Sequence, residues 1–232
     1  ALLIEAKERG AWVLEDACQA LLSGGLGKRA DFVLFSPRKF LGVPDGGILM
    51  SNCEKAPREL GLTSASREWR LRSLSAAILR REFDIHGGNR SWFNMFKQAE
   101  KDSPIGPYAM SELSRELLKS VFDYSAIADR RVKNYRGLLR ELSHIAVFPE
   151  LPDNVVPLGF PVRIQNRDQV RQVLFEHDIY PPVHWQTQKI VPDQFVDSHR
   201  LGADIMTLPC DQRCDAEDMY RMAQLVLRGL KK

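Results

Sequence analysis

DFVLFSPRKFLGVPDGGILMSN, residues 31–52, holds two short apolar runs separated by a turn rich in Pro and Gly, with a lysine near its start. The runs DFVLFS (31–36) and GGILMS (46–51) are nearly all apolar, the texture of strands covered on both faces of a sheet. A third run, AWVLED (11–16), lies upstream and reads as a strand over Ala11–Leu14 that ends at Glu15 and Asp16. Residues 2–9 read as a helix stopped by Gly10. Short connections between three such runs place the start of the chain inside an α/β layer, as if part of a domain preceded it.

Downstream, residues 66–82 (SREWRLRSLSAAILRRE) read as an arginine-rich helix. Residues 83–107, with Gly87, Gly88, Pro104 and Pro107, read as an extended loop. Helical spacing resumes over 110–122, with Leu113, Leu117 and Leu118, and again over 125–142, with Ile127, Val132, Tyr135, Leu138, Leu139 and Leu142 on one side. The texture then changes. VPLGFPVRI (156–164) is strand-like, NRDQVRQVLFEH (166–177) is a helix with Asn166 at its cap, PPVHW (181–185) is extended, and 215–229 is a closing amphipathic helix with Met219, Met222, Leu225 and Val226 inward. This alternation around a small antiparallel sheet predicts an α+β domain over 125–232, after an α/β domain over 1–124.

Composition bounds the function. The 232 residues carry a net charge of +3, with 44% hydrophobic and 27% charged residues, as ordinary globular chains do. That charge is too small to mark a nucleic-acid or membrane partner. No apolar run approaches the roughly 20 residues of a membrane helix. The four cysteines, Cys18, Cys53, Cys210 and Cys214, lack zinc-site spacing and read as free thiols in a cytosolic (cytoplasmic) protein.

Asp16 and Gln19 follow the first strand, and Ser36 and Lys39 follow the second. Ligands of open α/β sheets bind at the carboxyl ends of strands. An aspartate, a lysine and a serine at such ends suit pyridoxal 5′-phosphate. Its aldehyde needs an amine, its ring nitrogen a carboxylate and its phosphate a set of hydroxyl and N–H donors. Each residue also has a plainer role open to it. Asp16 would cap a turn, Ser36 would be a turn residue, and Gly46 and Gly47 would serve the backbone alone.

VLEDACQA (13–20) followed by residues 31–52 resembles the DegT/StrS-type sugar aminotransferases, pyridoxal phosphate enzymes of fold type I. PYAMSELSRELL (107–118), RRVKNYRGLLREL (130–142), residues 160–185 and residues 198–219 extend the resemblance over nearly the whole chain. It implies part of a fold type I large domain, mostly parallel sheet with helices, followed by a small α+β domain. It puts the family's ring-nitrogen aspartate on Asp16, the glutamine beside the ring on Gln19, the phosphate serine on Ser36 and the cofactor lysine on Lys39. It also implies a nucleotide-linked keto sugar as substrate, glutamate as amino donor, a homodimer and a role in surface-polysaccharide or related amino-sugar biosynthesis. His184, Trp185 and Arg213 fall in segments similar to substrate-facing parts of the family, against plainer roles in packing for Trp185 and at the surface for the other two.

The departures are specific. S-P-R-K is two residues shorter than the family's usual serine-to-lysine spacing. Pro107 stands where an asparagine reaches the neighbouring subunit's phosphate, and it has neither a side-chain donor nor an N–H. Ala109 replaces an arginine. The family's segment before E-D-A, with its phosphate loop and ring-stacking aromatic, has no counterpart, so the resemblance implies the C-terminal portion of a member. A truncated or non-catalytic relative acting as a binding or scaffold partner is the alternative. Nucleic-acid binding through Arg67, Arg70, Arg72, Arg80 and Arg81 is a weaker one, since Glu68 and Glu82 interrupt the run and Trp69 is the only aromatic between Arg67 and Arg81.

Overall fold

A computed structural model describes residues 2–53, 60–184 and 190–231. The chain forms two compact units, one of residues 1–21 and 25–123, the other of residues 22–24 and 124–232.

In the first unit, helix α1 (Leu2–Glu8) leads to strands β1 (Leu14–Asp16), β2 (Phe32–Phe35) and β3 (Ile48–Ser51). They form one sheet in the order β1-β2-β3. β1 runs parallel to β2, with Leu14 opposite Phe32 and Asp16 opposite Leu34. β3 runs antiparallel to β2, with Phe35 opposite Ile48. The first strand therefore starts later than its apolar run suggests and takes in the two carboxylates. Lys7 on α1 pairs with Asp31 at 2.9 Å, and Asp31 accepts the Val13 amide at 2.7 Å.

The apolar runs are not enclosed on both faces, contrary to expectation. Trp12 is 64% exposed and Leu14 59%, and β3 is exposed along its length. Two of the three strands are edges, so only the middle one is walled in. Its Val33 is fully buried and packs with Ala17 and Ala30.

Strand β4 (Thr63–Ser64) pairs in parallel with β5 (Tyr108–Ala109), and two helices lie between them. Helix α2 (Arg67–His86) starts at Ser66, whose hydroxyl accepts the Trp69 amide, and ends at Gly87, whose φ of 69° favours glycine. Helix α3 (Ser91–Lys101) occupies the segment expected to be a loop. The Gly87–Gly88 pair is only the turn between them. Trp69 Nε1 donates to the Ala99 carbonyl at 2.8 Å, and the Arg80 guanidinium lies 4.2 Å from the centre of the Trp92 ring. Arg72 pairs with Asp102, and Arg80 with Asp84 at 2.8 Å. Several arginines of α2 are thus engaged within this hairpin. Helix α4 (Glu112–Ser120), capped by the Ser111 hydroxyl, completes the unit.

The second unit holds helices α5 (Tyr124–Leu142), α6 (Arg167–Phe175), α7 (Val196–Asp204) and α8 (Ala216–Leu230), and strands β6 (Phe160–Arg163) and β7 (Ile205–Leu208). The strands are antiparallel, with Phe160 opposite Leu208. Leu138 and Leu142 of α5, Phe160, Leu174, Met206, Leu208 and Val226 of α8 are fully buried in one core. Burying one such side chain stabilises by about 1.5–3 kcal/mol relative to leaving it exposed. The Tyr135 and Phe160 rings meet edge to face at 4.8 Å. α8 begins with a reciprocal cap, in which the Asp215 carboxylate accepts the Glu217 and Asp218 amides and the Asp218 carboxylate accepts the Asp215 amide. Met219, Met222, Leu225 and Val226 are all buried, as their spacing predicts. One detail differs from expectation, and one element was not foreseen. Asn166 is left-handed (φ 59°) and makes no side-chain cap to α6, a conformation that asparagine tolerates. Residues 196–204 are helical.

α5 buries polar residues as well as apolar ones. Arg131 is 2% exposed and Asn134 1%. The Asn134 amide nitrogen donates to the carbonyls of Asp211 and Cys214 at 2.9 Å and reaches that of Cys210 at 3.4 Å. Arg131 donates to the carbonyls of Pro157 (3.1 Å) and Leu158 (3.2 Å) and to the Gln212 side chain (2.8 Å). Burial pulls the Arg131 pKa below its ordinary value, and the charge of Asp211 opposes that pull. A buried carbonyl left without a donor costs most of its desolvation energy.

Asn134→Ala should therefore destabilise the second unit by about 2–4 kcal/mol, whereas Asp215→Ala removes only a cap worth about 1 kcal/mol. Urea unfolding followed by circular dichroism would check the order. Equal losses would mean that Asn134 is an ordinary core position.

Candidate functional site

The parallel pairing of β1 with β2 puts the carboxyl ends of both strands at one edge. Asp16 is the last residue of β1, and Ser36 follows the last residue of β2. Beyond Asp16 the chain turns through residues 17–20, with the Ala20 amide bonded to the Ala17 carbonyl at 2.9 Å. The Ala17 amide donates to the Leu34 carbonyl at 2.9 Å, and the Cys18 thiol sits 3.8 Å from the same oxygen. Gln19 lies exposed in this turn. Beyond Ser36, Pro37–Lys39 form a single 3₁₀ turn, and the Ser36 side chain does not cap it. Pro37 is buried while Lys39 is exposed. The four residues Asp16, Gln19, Ser36 and Lys39 thus stand on two adjacent turns at one sheet edge.

The electrostatics tie these turns together. The Cys18 amide donates to Asp16 at 3.0 Å. That bond and the Cys18 thiol hold the Asp16 carboxyl below the usual aspartate range; desolvation opposes them, and the Lys39 charge adds a smaller lowering effect. Burial and the bond to Asp16 push the Cys18 thiol up, and Lys39 pulls it the other way. Asp16 is therefore an anion within electrostatic reach of the Lys39 amine. An anion suits a protonated pyridine nitrogen, an amine suits an aldehyde, and a half-buried hydroxyl suits a phosphate. The residues present fit pyridoxal 5′-phosphate.

The other candidates belong to the second unit. His184 Nδ1 lies 3.2 Å from the Thr207 hydroxyl. Arg213 grips Asp211 through two bonds of 2.8 Å, one from Nε and one from Nη2. Burial raises the Asp211 carboxyl, but the hydrogen bonds and charge of Arg213, with the charge of Arg131, outweigh it and leave the pKa lowered. Trp185 lies outside the described residues.

One residue escaped the sequence reading. Asp45, in the turn P-D-G-G, is buried at 3% exposure. An aspartate before two glycines reads as a turn residue. No local signal tells that its partners lie 66 and 69 residues away.

No family model matches the sequence, and no curated protein matches it. Solved structures do. A DegT DnrJ EryC1 StrS aminotransferase from Brucella abortus matches at 14% identity with a TM-score of 0.61, over 100% of this chain and 60% of its own. The fold is that of these aminotransferases. NtdA from Bacillus subtilis, solved with bound cofactor PMP, matches at 16% identity with a TM-score of 0.62, over 100% of this chain and 53% of its own. DesI, solved in the presence of its TDP-sugar product, matches at 18% identity with a TM-score of 0.62, over 99% of this chain and 58% of its own. The chain thus spans about 60% of the length of the first of them. Among the described residues no helix is long and apolar enough to cross a membrane.

Lys39→Met removes one of the lowering influences on Asp16 and leaves the Cys18 hydrogen bonds in place. The Asp16 carboxyl should then titrate at a higher pH than in the parent chain, yet still below an ordinary aspartate. A carbon-detected NMR titration reads both. An unmoved Asp16 would mean that the lysine is too far away to share a ligand with it.

Proposed function

We propose that this chain carries the cofactor lysine of a pyridoxal phosphate-dependent aminotransferase, acting on a nucleotide-linked keto sugar with glutamate as amino donor, in surface-polysaccharide or related amino-sugar biosynthesis. The observation that carries the reading is the placement of Asp16 and Lys39 on adjacent turns at the carboxyl edge of a parallel strand pair. The aminotransferase fold of the matching structures supports it, as do the PMP of NtdA and the TDP-sugar product of DesI.

When bound, the cofactor supplies an electron sink for the carbanion left when a proton leaves the donor Cα. Lys39 Nζ would hold the cofactor at its aldehyde carbon and, once free, would take the proton from the donor Cα and return it, as general base and acid. Asp16 would keep the ring nitrogen protonated, Gln19 would flank the ring, and Ser36 would donate its hydroxyl to the phosphate. His184, Trp185 and Arg213 would contact the sugar nucleotide, and the protein would act as a homodimer.

Pro107 and Ala109 favour a second reading, a non-catalytic relative that keeps the fold as a partner or scaffold. In β5 and its approach they offer backbone but neither the amide side chain nor the guanidinium that the resemblance would place there.

Purified protein mixed with pyridoxal 5′-phosphate should develop a visible band absent from the free cofactor. Borohydride should fix the adduct on the peptide holding Lys39, and Lys39→Ala should abolish both signals. Adducts spread over surface lysines, with the band surviving in Lys39→Ala, would overturn the assignment. A band on Lys39 without transamination of any nucleotide-linked keto sugar would favour the non-catalytic relative.

A further inference from the structure

Between Lys39 and β3 the chain runs through a closely packed segment. Phe40, Leu41 and Val43 are buried, and the amides of Phe40 and Leu41 both reach the Pro37 carbonyl, at 3.0 and 2.9 Å. The segment ends at Asp45, a carboxylate held in the interior by donors from the start of α4. The Ser111 hydroxyl donates to Oδ1 at 2.7 Å and the Ser111 amide to Oδ2 at 3.2 Å. The fully buried Ser114 hydroxyl also donates to Oδ1. The positive end of the α4 dipole favours an anion at this place.

The next residue fixes the approach. Gly46 has φ of 105°, and a Cβ there would lie 2.5 Å from Met110 Cε and 2.6 Å from its Cγ. Only glycine lets the Asp45 turn lie flat on Met110 and bring the carboxylate to Ser111. Ser111 is already the cap of α4, its hydroxyl accepting the Ser114 amide at 3.2 Å. Asp45 is therefore not needed to start that helix. What it adds is a tie between the helix and the segment that carries Lys39.

We infer that Asp45 is a positioning residue for Lys39: its carboxylate anchors the 37–46 segment to the start of α4 and so fixes where the lysine amine stands at the sheet edge. The link to cofactor chemistry rests on the function proposed above, while the anchoring itself does not.

Hydrogen exchange on the cofactor-free protein and borohydride trapping on the protein mixed with pyridoxal 5′-phosphate test the two parts separately. In Asp45→Ala the amides of Phe40, Leu41 and Val43 should exchange about tenfold faster or more, the scale of a lost hydrogen bond to a charged group. Trapping on Lys39 should slow in parallel. Asp45→Asn, which keeps one acceptor oxygen, should recover much of both. Ser114→Ala should show the same pattern more weakly, and it decides the matter if Asp45→Ala does not fold. Faster exchange confined to the first turn of α4, with residues 40–43 unchanged, would make Asp45 a helix cap and overturn the inference. Faster exchange at 40–43 with unchanged trapping would overturn its link to Lys39. A parent protein with no adduct on Lys39 would defeat the cofactor reading, and the exchange data would still decide the anchor.

Discussion

The register of two short strands governs which polar groups meet at this sheet edge. Because β1 and β2 run the same way, with Asp16 opposite Leu34, both strands leave the sheet at one edge. A shift of one residue would turn each side chain to the other face. The single bond from Ala17 to the Leu34 carbonyl continues the ladder one step past β1. It sets the turn that holds Asp16, Cys18 and Gln19 against the turn that holds Ser36 and Lys39. The electrostatic effect of Lys39 on both Asp16 and Cys18 follows from that one alignment.

The two units hold their polar groups in different ways. In the second, buried polar side chains of α5 satisfy loop carbonyls, so a helix acts as the template for the irregular segment 210–214 before α8. One amino group has two hydrogens, and Asn134 shares them among three carbonyls. Among the described residues its own Oδ1 has no partner, so its hydrogen bonds all go from its amide nitrogen to the loop. In the first unit the roles are reversed, and a loop carboxylate is satisfied by a helix start.

Much of this was legible in the sequence where the signal is local. The spacing of Met219, Met222, Leu225 and Val226 predicts the buried face of α8, and Asp215 its start. The order of Asp16, Gln19, Ser36 and Lys39 predicts two turns at one sheet edge. The reading failed where local texture and tertiary environment part. The apolar run around Leu14 and Ile48–Met50 suggested full burial, but a strand's enclosure depends on its neighbours. Gly87–Gly88 suggested a long loop, but two glycines also suit a tight turn between helices, and Trp92 with Ala99 marks the buried side of α3. The burial of Arg131 and Asn134 had no counterpart in the reading of α5, because most of their partners are backbone carbonyls, which leave no mark in the sequence. Asp45 was silent for the same reason of distance.

The pairing of β4 with β5 has a consequence for how the chain accommodates bulk. Thr63 stands beside Tyr108, so the 44 residues between them leave and return at neighbouring points, like a handle fixed at both ends. Their inner packing, through Trp69, Arg80 and Trp92, is largely their own. The entropy of closing such an excursion grows only with the logarithm of its length. The handle can therefore lengthen or shorten with little effect on its two anchor points, and β5 leads within two residues to the Ser111 that holds Asp45.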